Sequence, residues 1–188
     1  YQRRVRGMSE LPQQQQITSI ATFTIRFGNV EAPIRIGLYG HVAPAQVNLF
    51  KSMCSSKRNA TQTQQQVSVA QFKNTIFYRF NESVGFWLGD QYQIKEVPLK
   101  EQIQKMDHFQ YCLTSFNSDA SQLGNTFLLI TEKNVEFLND KHQLMGQLMD
   151  YESVDLIEQA KKYIVQDQYG RMQEGFEVRV VEVLLEEK

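Results

Sequence analysis

The chain has 188 residues, of which 41% are hydrophobic, so it is long and apolar enough for one domain with a buried core and a tail. Its 20 Lys and Arg residues balance 21 Asp and Glu residues, and the net charge of -1 argues against a general nucleic-acid binder and a polybasic membrane-surface protein. No apolar run approaches the roughly 20 residues of a membrane-spanning helix. Cys54 and Cys112 lack metal-ligand spacing and are too few for a disulfide framework, which favours a reducing compartment.

Residues 1–16 are polar and end in four glutamines, and they contain no hydrophobic segment of a secretory signal. We predict that they form a tail, separate from a domain over residues 17–188. Arg3, Arg4 and Arg6, together with a first residue that is not Met, are typical of what a mitochondrial presequence leaves behind. This interpretation predicts a mitochondrial location. The alternative is a solvated arm on a cytoplasmic protein.

The domain begins with alternating apolar residues on either side of Gly28-Asn29, which predicts a β-hairpin. Pro44 is well placed to begin a helix that extends to Met53. A second helix is predicted at 153–164, where apolar residues share one face. Long polar connections are predicted at 55–71 and 91–109, the latter with a short helix around 100–106. The further predicted strands are 75–80, 83–88, 111–116, 126–131, 143–149 and 176–185.

About eight strands and two main helices make a mainly β domain, in which closure of the sheet would remove exposed edges. The three histidines have no partners at metal-ligand spacing, and the chain has neither a phosphate-binding glycine loop nor a Gly-x-Ser-x-Gly motif. We therefore predict neither a metal nor a cofactor.

The sequence Phe77-Tyr78-Arg79-Phe80 places an arginine among aromatic residues in a predicted strand. Strict alternation predicts that Phe77 and Arg79 share one face of the sheet, and Tyr78 and Phe80 the other. An arginine on an apolar face needs a partner or a ligand. The alternative is an edge-strand arginine whose long stem reaches water.

From about residue 17 to residue 185, the order of elements and several short motifs resemble the cyclophilin family of peptidyl-prolyl isomerases. The motifs are Pro44 to Phe50 with its Asn-x-Phe, Phe77-Tyr78-Arg79, Gly89-Asp90, Leu113 to Asn117 followed by Gly124 and Phe127, and Phe137-Leu138 with Lys141-His142 and Gly146. The resemblance implies a closed eight-stranded antiparallel β-barrel capped by two α-helices. It also implies cis/trans isomerisation of X-Pro bonds, in which an arginine hydrogen-bonds the twisting prolyl amide and a pocket holds the proline ring.

Carried over residue by residue, the resemblance makes Arg79 the catalytic arginine, His142 the pocket histidine and Asn117 the asparagine that contacts the peptide backbone. The other peptide-binding positions depart from the family pattern: Val84 replaces Phe, Gly85 replaces Met, Trp87 replaces Gln, Thr126 replaces Gln, Leu128 replaces Phe and Phe137 replaces Trp. Because strand faces repeat every two residues, Phe86 is expected to share a face with Val84 and to lend a ring to the pocket, displaced by roughly 6–7 Å along the strand.

These departures predict weak or lost isomerase activity. We expect the domain to be mainly a structural or interaction subunit of a larger assembly, such as a mitochondrial complex. Its partners would be other protein subunits, including proline-containing segments. We expect the domain itself to show no nucleic-acid specificity. The polar connections are the expected contact regions. One alternative is an active prolyl isomerase that assists protein folding, and another is proline-peptide binding without catalysis.

Overall fold

The computed structural model describes residues 9–55, 71–90, 96–100, 103–117 and 121–188. In this part of the chain the helices are α1 (Pro44–Cys54), α2 (Tyr151–Tyr163) and a short 3-10 helix (Glu136–Leu138). The strands are β1 (Ser19–Phe27), β2 (Val30–Leu38), β3 (Arg79–Asn81), β4 (Gly85–Gly89), β5 (Glu96–Pro98), β6 (Cys112–Ser115), β7 (Gln122–Gly124), β8 (Thr126–Ile130), β9 (Leu144–Leu148) and β10 (Arg179–Glu187).

Eight strands form one curled antiparallel sheet in the order β10-β1-β2-β9-β6-β8-β4-β3. The two end strands, β10 and β3, do not share a ladder. Instead, residues 74–77, just before β3, form a few backbone hydrogen bonds with Val178 and Val180. We call this junction the seam. The predicted mainly β, eight-stranded antiparallel fold with two helices is confirmed, although its closure is less regular than in a continuous barrel.

Both helices bury an apolar face against the sheet. Pro44 lies in the first turn of α1, and Phe50 on that helix stacks on Phe23 of β1 with ring centroids 5.8 Å apart. The Asp150 side chain caps α2 by accepting a 2.8 Å hydrogen bond from the Ser153 N–H. In the described residues, no helix has the length and apolar character needed to cross a membrane.

The polar connections contain structure that the sequence pattern did not predict. Strand β5 lies in the predicted connection 91–109 and pairs with β7 as a separate two-stranded sheet. The short helix predicted around 100–106 is wrong as far as it is described, because residues 103–106 are extended or irregular. Residues 56–70, most of the other predicted connection, lie outside the described residues.

The segment 9–16 lies against the domain. The Leu11 N–H donates to the Met149 carbonyl at 2.8 Å, and the Gln147 side chain donates to the Pro12 carbonyl and accepts from the Gln14 N–H, each at 3.0 Å. Residues 1–8, which carry the three arginines, lie outside the described residues. The presequence remnant and the boundary at residue 17 therefore stay predictions.

Candidate functional site

A groove of about 500 Å³ opens where β3, β4 and β8 meet the end of β6. Its lining consists of Tyr78, Arg79, Trp87, Glu96, Phe116, Asn117, Thr126, Lys141 and His142. Pairing of β3 with β4 places Arg79 opposite Trp87, and the Phe116 N–H donates to the Thr126 carbonyl at 3.0 Å. We call this feature the Arg79 groove.

Arg79 and a row of rings form one wall of the groove. The exposed guanidinium of Arg79 lies 5.0 Å from the centroid of the Trp87 ring, close enough for a cation–π interaction. The Trp87 ring meets Phe116 edge-on at 5.4 Å, and Phe116 stacks on His142 at 4.9 Å. Within the described residues, Arg79 forms no ion pair, so its donors remain available to a bound ligand.

The predicted faces of the strand around Arg79 are wrong. Phe77 and Phe80 are both buried in the core, where each contacts Phe86, whereas Arg79 is exposed. Strict alternation fails because the backbone changes partner within this stretch. Ile76 pairs with β10, and from Arg79 onward the chain pairs with β4.

The expectation that Phe86 shares a face with Val84 is also wrong. Phe86 is fully buried in the main core, whereas Val84 packs against the separate apolar cluster that contains Trp87. The two side chains do not share a face because Gly85, between them, has a φ of 152°, a conformation that an L side chain rarely adopts. The regular period of a strand therefore begins only after Gly85.

The structure brings Arg79, Trp87, Asn117, Thr126 and His142 together in the groove. It leaves the other predicted positions, Val84, Phe86, Leu128 and Phe137, outside the groove lining. Leu128 is fully buried and pairs with Trp87 across β4 and β8, and Phe137 is 58% exposed on the 3-10 helix. Contact of any of these residues with a peptide stays a prediction.

Four lining residues were not predicted from the sequence. Tyr78, Phe116 and Lys141 each adjoin a residue that was predicted, so chain proximity was an available signal. Glu96 lies in a polar connection, and no motif marked it.

Four buried polar side-chain atoms of residues that line the groove have no hydrogen-bond partner among the described residues. They are Trp87 Nε1, Asn117 Oδ1, Thr126 Oγ1 and His142 Nδ1, and these residues are 6%, 5%, 2% and 7% exposed. The Asn117 amide nitrogen donates to Ser115 Oγ at 3.4 Å, which leaves the amide oxygen as the open acceptor. Buried polar atoms are nearly always paired in folded proteins, so four among the lining residues of one groove indicate a place for a ligand.

Burial shifts the pKa values of two side chains that line the groove, His142 and Tyr78. Burial, followed by electrostatic interactions with the nearby His108 and Lys141, lowers the pKa of His142 to about 4, so the imidazole is neutral near pH 7. Burial raises the pKa of Tyr78, although the neighbouring Thr126 side chain and the charge of Arg79 oppose this. Among the described residues, no cluster of His, Cys, Asp and Glu is able to hold a metal ion.

The family model for cyclophilin-type peptidyl-prolyl cis-trans isomerases and cyclophilin-like domains matches residues 22–183. The chain belongs to this family. A comparison with curated proteins finds no match. The matched region runs from β1 to β10 and contains every lining residue of the Arg79 groove, so the groove is part of the cyclophilin domain itself.

The Arg79 groove contains hydrogen-bond donors, hydrogen-bond acceptors and aromatic faces. Its ionisable side chains are Tyr78, Arg79, Glu96, Lys141 and His142. Isomerisation about a peptide bond forms no covalent intermediate, so it needs only groups that bind the twisted amide better than the planar one. Arg79 has the charge and the exposure for that task. Holding a proline ring requires apolar surface beside it, and the groove supplies this through the aromatic rings of Tyr78, Trp87 and Phe116.

Proposed function

We propose that this cyclophilin domain is mainly a peptide-binding module in a larger protein assembly and that its prolyl isomerase activity is weak or lost. The observation that carries the proposal is the composition of the Arg79 groove. Arg79, Asn117 and His142 lie in one groove, while Phe86 and Leu128, the apolar residues expected near a proline ring, lie outside its lining.

Binding is supported by the unused hydrogen-bonding capacity of the groove. A ligand would satisfy Trp87 Nε1, Asn117 Oδ1 and His142 Nδ1, which have no partner in the described part of the chain. A buried polar group without a partner costs about 1–3 kcal/mol, and a peptide that pairs with these atoms relieves that cost.

Weak catalysis is supported by the missing apolar contacts and by the position of the arginine. The guanidinium of Arg79 lies over Trp87, and any movement of it toward a substrate amide would weaken this cation–π contact. Loss of two apolar contacts at about 1.5 kcal/mol each corresponds to roughly 10²-fold in rate.

We expect the turnover of a proline-containing tetrapeptide, measured by NMR exchange spectroscopy, to be roughly 10²-fold below that of an intact cyclophilin assayed in parallel. Arg79→Ala should remove what activity remains. Arg171→Ala is a matched control, because Arg171 also lies over an aromatic ring, that of Tyr169 at 5.3 Å, but does not line the Arg79 groove. Turnover equal to the reference enzyme, lost in Arg79→Ala and kept in Arg171→Ala, would refute weak catalysis.

An active, folding-assisting isomerase is the second candidate, and one observation favours it. Arg79 is exposed at the edge of the groove and forms no ion pair within the described residues, so it is accessible to a prolyl amide. The assay above distinguishes the candidates by rate.

The assembly is tested by the native size of the protein. A subunit co-migrates with a large complex after gentle lysis, whereas a free folding helper migrates as a monomer. Imaging of the tagged full-length protein tests the mitochondrial location, and a purely cytosolic signal would reject it.

A further inference from the structure

The open hydrogen-bonding atoms of the Arg79 groove differ in kind. Trp87 Nε1 carries a hydrogen and is only a donor, whereas Asn117 Oδ1 is only an acceptor. The neutral imidazole of His142 presents Nδ1 as either, depending on its tautomer, and the Thr126 hydroxyl can both donate and accept. A ligand that satisfies the groove must therefore both accept and donate hydrogen bonds.

This requirement excludes most side chains. A carboxylate has no hydrogen to give, and an ammonium or guanidinium group has no lone pair to offer. A proline ring offers neither and would leave the buried donor and acceptors unpaired. A primary carboxamide has an acceptor oxygen and a two-hydrogen donor nitrogen in one planar group, and it is uncharged, as a buried site favours.

We propose that the Arg79 groove recognises a glutamine or asparagine side chain of the bound segment, with the carboxamide oxygen accepting from Trp87 Nε1 and its nitrogen donating to Asn117 Oδ1. This inference rests on the proposed peptide-binding function and adds the class of residue that the groove recognises in the bound peptide. The His142 ring lies beside the same site and offers Nδ1 as a further partner.

The chain provides its own probe for this contact. Trp87 is the one tryptophan in the sequence, so a ¹H–¹⁵N spectrum contains a single indole N–H signal, which reports from inside the groove. The test titrates the full chain with blocked pentapeptides, acetyl-Ala-Ala-X-Ala-Ala-amide, in which X is Gln, Asn, Met, Ser or Pro. Met has the length of Gln without its hydrogen-bonding groups.

We expect the Gln or Asn peptide to bind at least tenfold more tightly than the Met, Ser and Pro peptides and to move the indole N–H signal downfield. Trp87→Phe keeps a ring but removes the donor, and it should reduce the advantage of Gln over Met to less than about threefold. Leu184→Ala, at an exposed position on β10 outside the groove, should keep the full preference.

The comparison of Gln and Met peptides on the unmodified chain decides the question even where Trp87→Phe fails to fold. Equal binding of the Gln and Met peptides would show that the backbone is read, and tighter binding of the Ser or Pro peptide would show a different preference. Each of these results overturns the carboxamide proposal but leaves peptide binding standing. Binding of no peptide overturns both proposals.

Discussion

At the scale of single residues, His142 shows how packing sets the chemistry of the groove. Its ring stacks on Phe116, and its backbone N–H donates to the Leu138 carbonyl at 3.1 Å. Burial together with electrostatic interactions with His108 and Lys141 lowers its pKa to about 4, so the folded protein resists protonating it. The imidazole therefore enters the groove as a neutral hydrogen-bonding group over the physiological pH range.

We predict that stability falls as the pH is lowered from about 6.5 to about 4. Unfolded His142 binds a proton near its ordinary pKa of 6.5, whereas the folded form does so only near 4, so the stabilisation is complete above this window and lost through it. After an allowance for solvent screening, we expect an effect on the order of 1 kcal/mol. Urea unfolding across this pH range measures it.

His142→Asn should flatten the pH dependence of the unfolding free energy, because the titrating ring is gone. A residual slope will remain, since burial also lowers the pKa of His108. His41→Asn, at an exposed position outside the groove lining, is the control and should follow the unmodified protein. An unmodified curve no steeper than that of His142→Asn would contradict the prediction.

At the scale of elements, β4 carries the aromatic ring that shapes the groove. Its first residue, Gly85, has a φ of 152°, and a Cβ atom there would collide with the Leu129 carbonyl oxygen on β8. The glycine lets β4 approach β8 closely. It also determines which side chains of β4 lie on each face of the sheet, so that Phe86 faces the core and Trp87 faces the groove.

We predict that Gly85→Ala destabilises the domain by about 2–4 kcal/mol, because the new methyl group adds a backbone clash to conformational strain. Gly175→Ala is the control, since Gly175 also has a positive φ of 86° but no atom lies within 4 Å of its added Cβ. That variant should lose about 1 kcal/mol. Chemical denaturation measures both, and similar losses in the two variants would rule out the clash.

Hydrophobic periodicity predicted most elements of the eight-stranded sheet and both helices, because one buried face produces a local pattern in the sequence. It failed at Arg79 and Gly85, where the chain changes its pairing partner or adopts a conformation reserved for glycine. It also missed β5 and β7, whose strands are three residues long and too short to show a period. The motif resemblance placed Arg79, Asn117 and His142 in the groove, whereas Glu96 reaches it by a tertiary contact that no local pattern encodes.

At the scale of the whole molecule, the segment 9–16 joins elements that are far apart in the sequence. Besides its hydrogen bonds to Gln147 and Met149, Glu10 pairs with Arg35 of β2 at 3.0 Å, and Arg35 also pairs with Asp150 at 3.1 Å. The polar composition of this segment predicted a tail, because the sequence of a segment does not show which distant backbone groups will pair with it.

We predict that deletion of residues 1–16 lowers the melting temperature by about 5–10 °C, because it removes these hydrogen bonds and leaves the buried Gln147 amide with fewer partners. Deletion of residues 1–8 alone is the control and should change it by no more than about 2 °C. Differential scanning calorimetry compares the two. Equal melting temperatures for both truncated proteins would show that the segment 9–16 contributes nothing to stability.

The seam has a consequence for energetic coupling across the molecule. Residues 74–77 lead directly into Tyr78 and Arg79, so the strand that closes the sheet onto β10 is continuous with one that lines the groove. If a ligand that fixes Arg79 favours the closed seam, then linkage requires the closed seam to raise the affinity of the groove by the same factor. Ligand binding and sheet closure would then be reciprocal, and a substitution that weakens the seam would act as a remote negative effector of the groove.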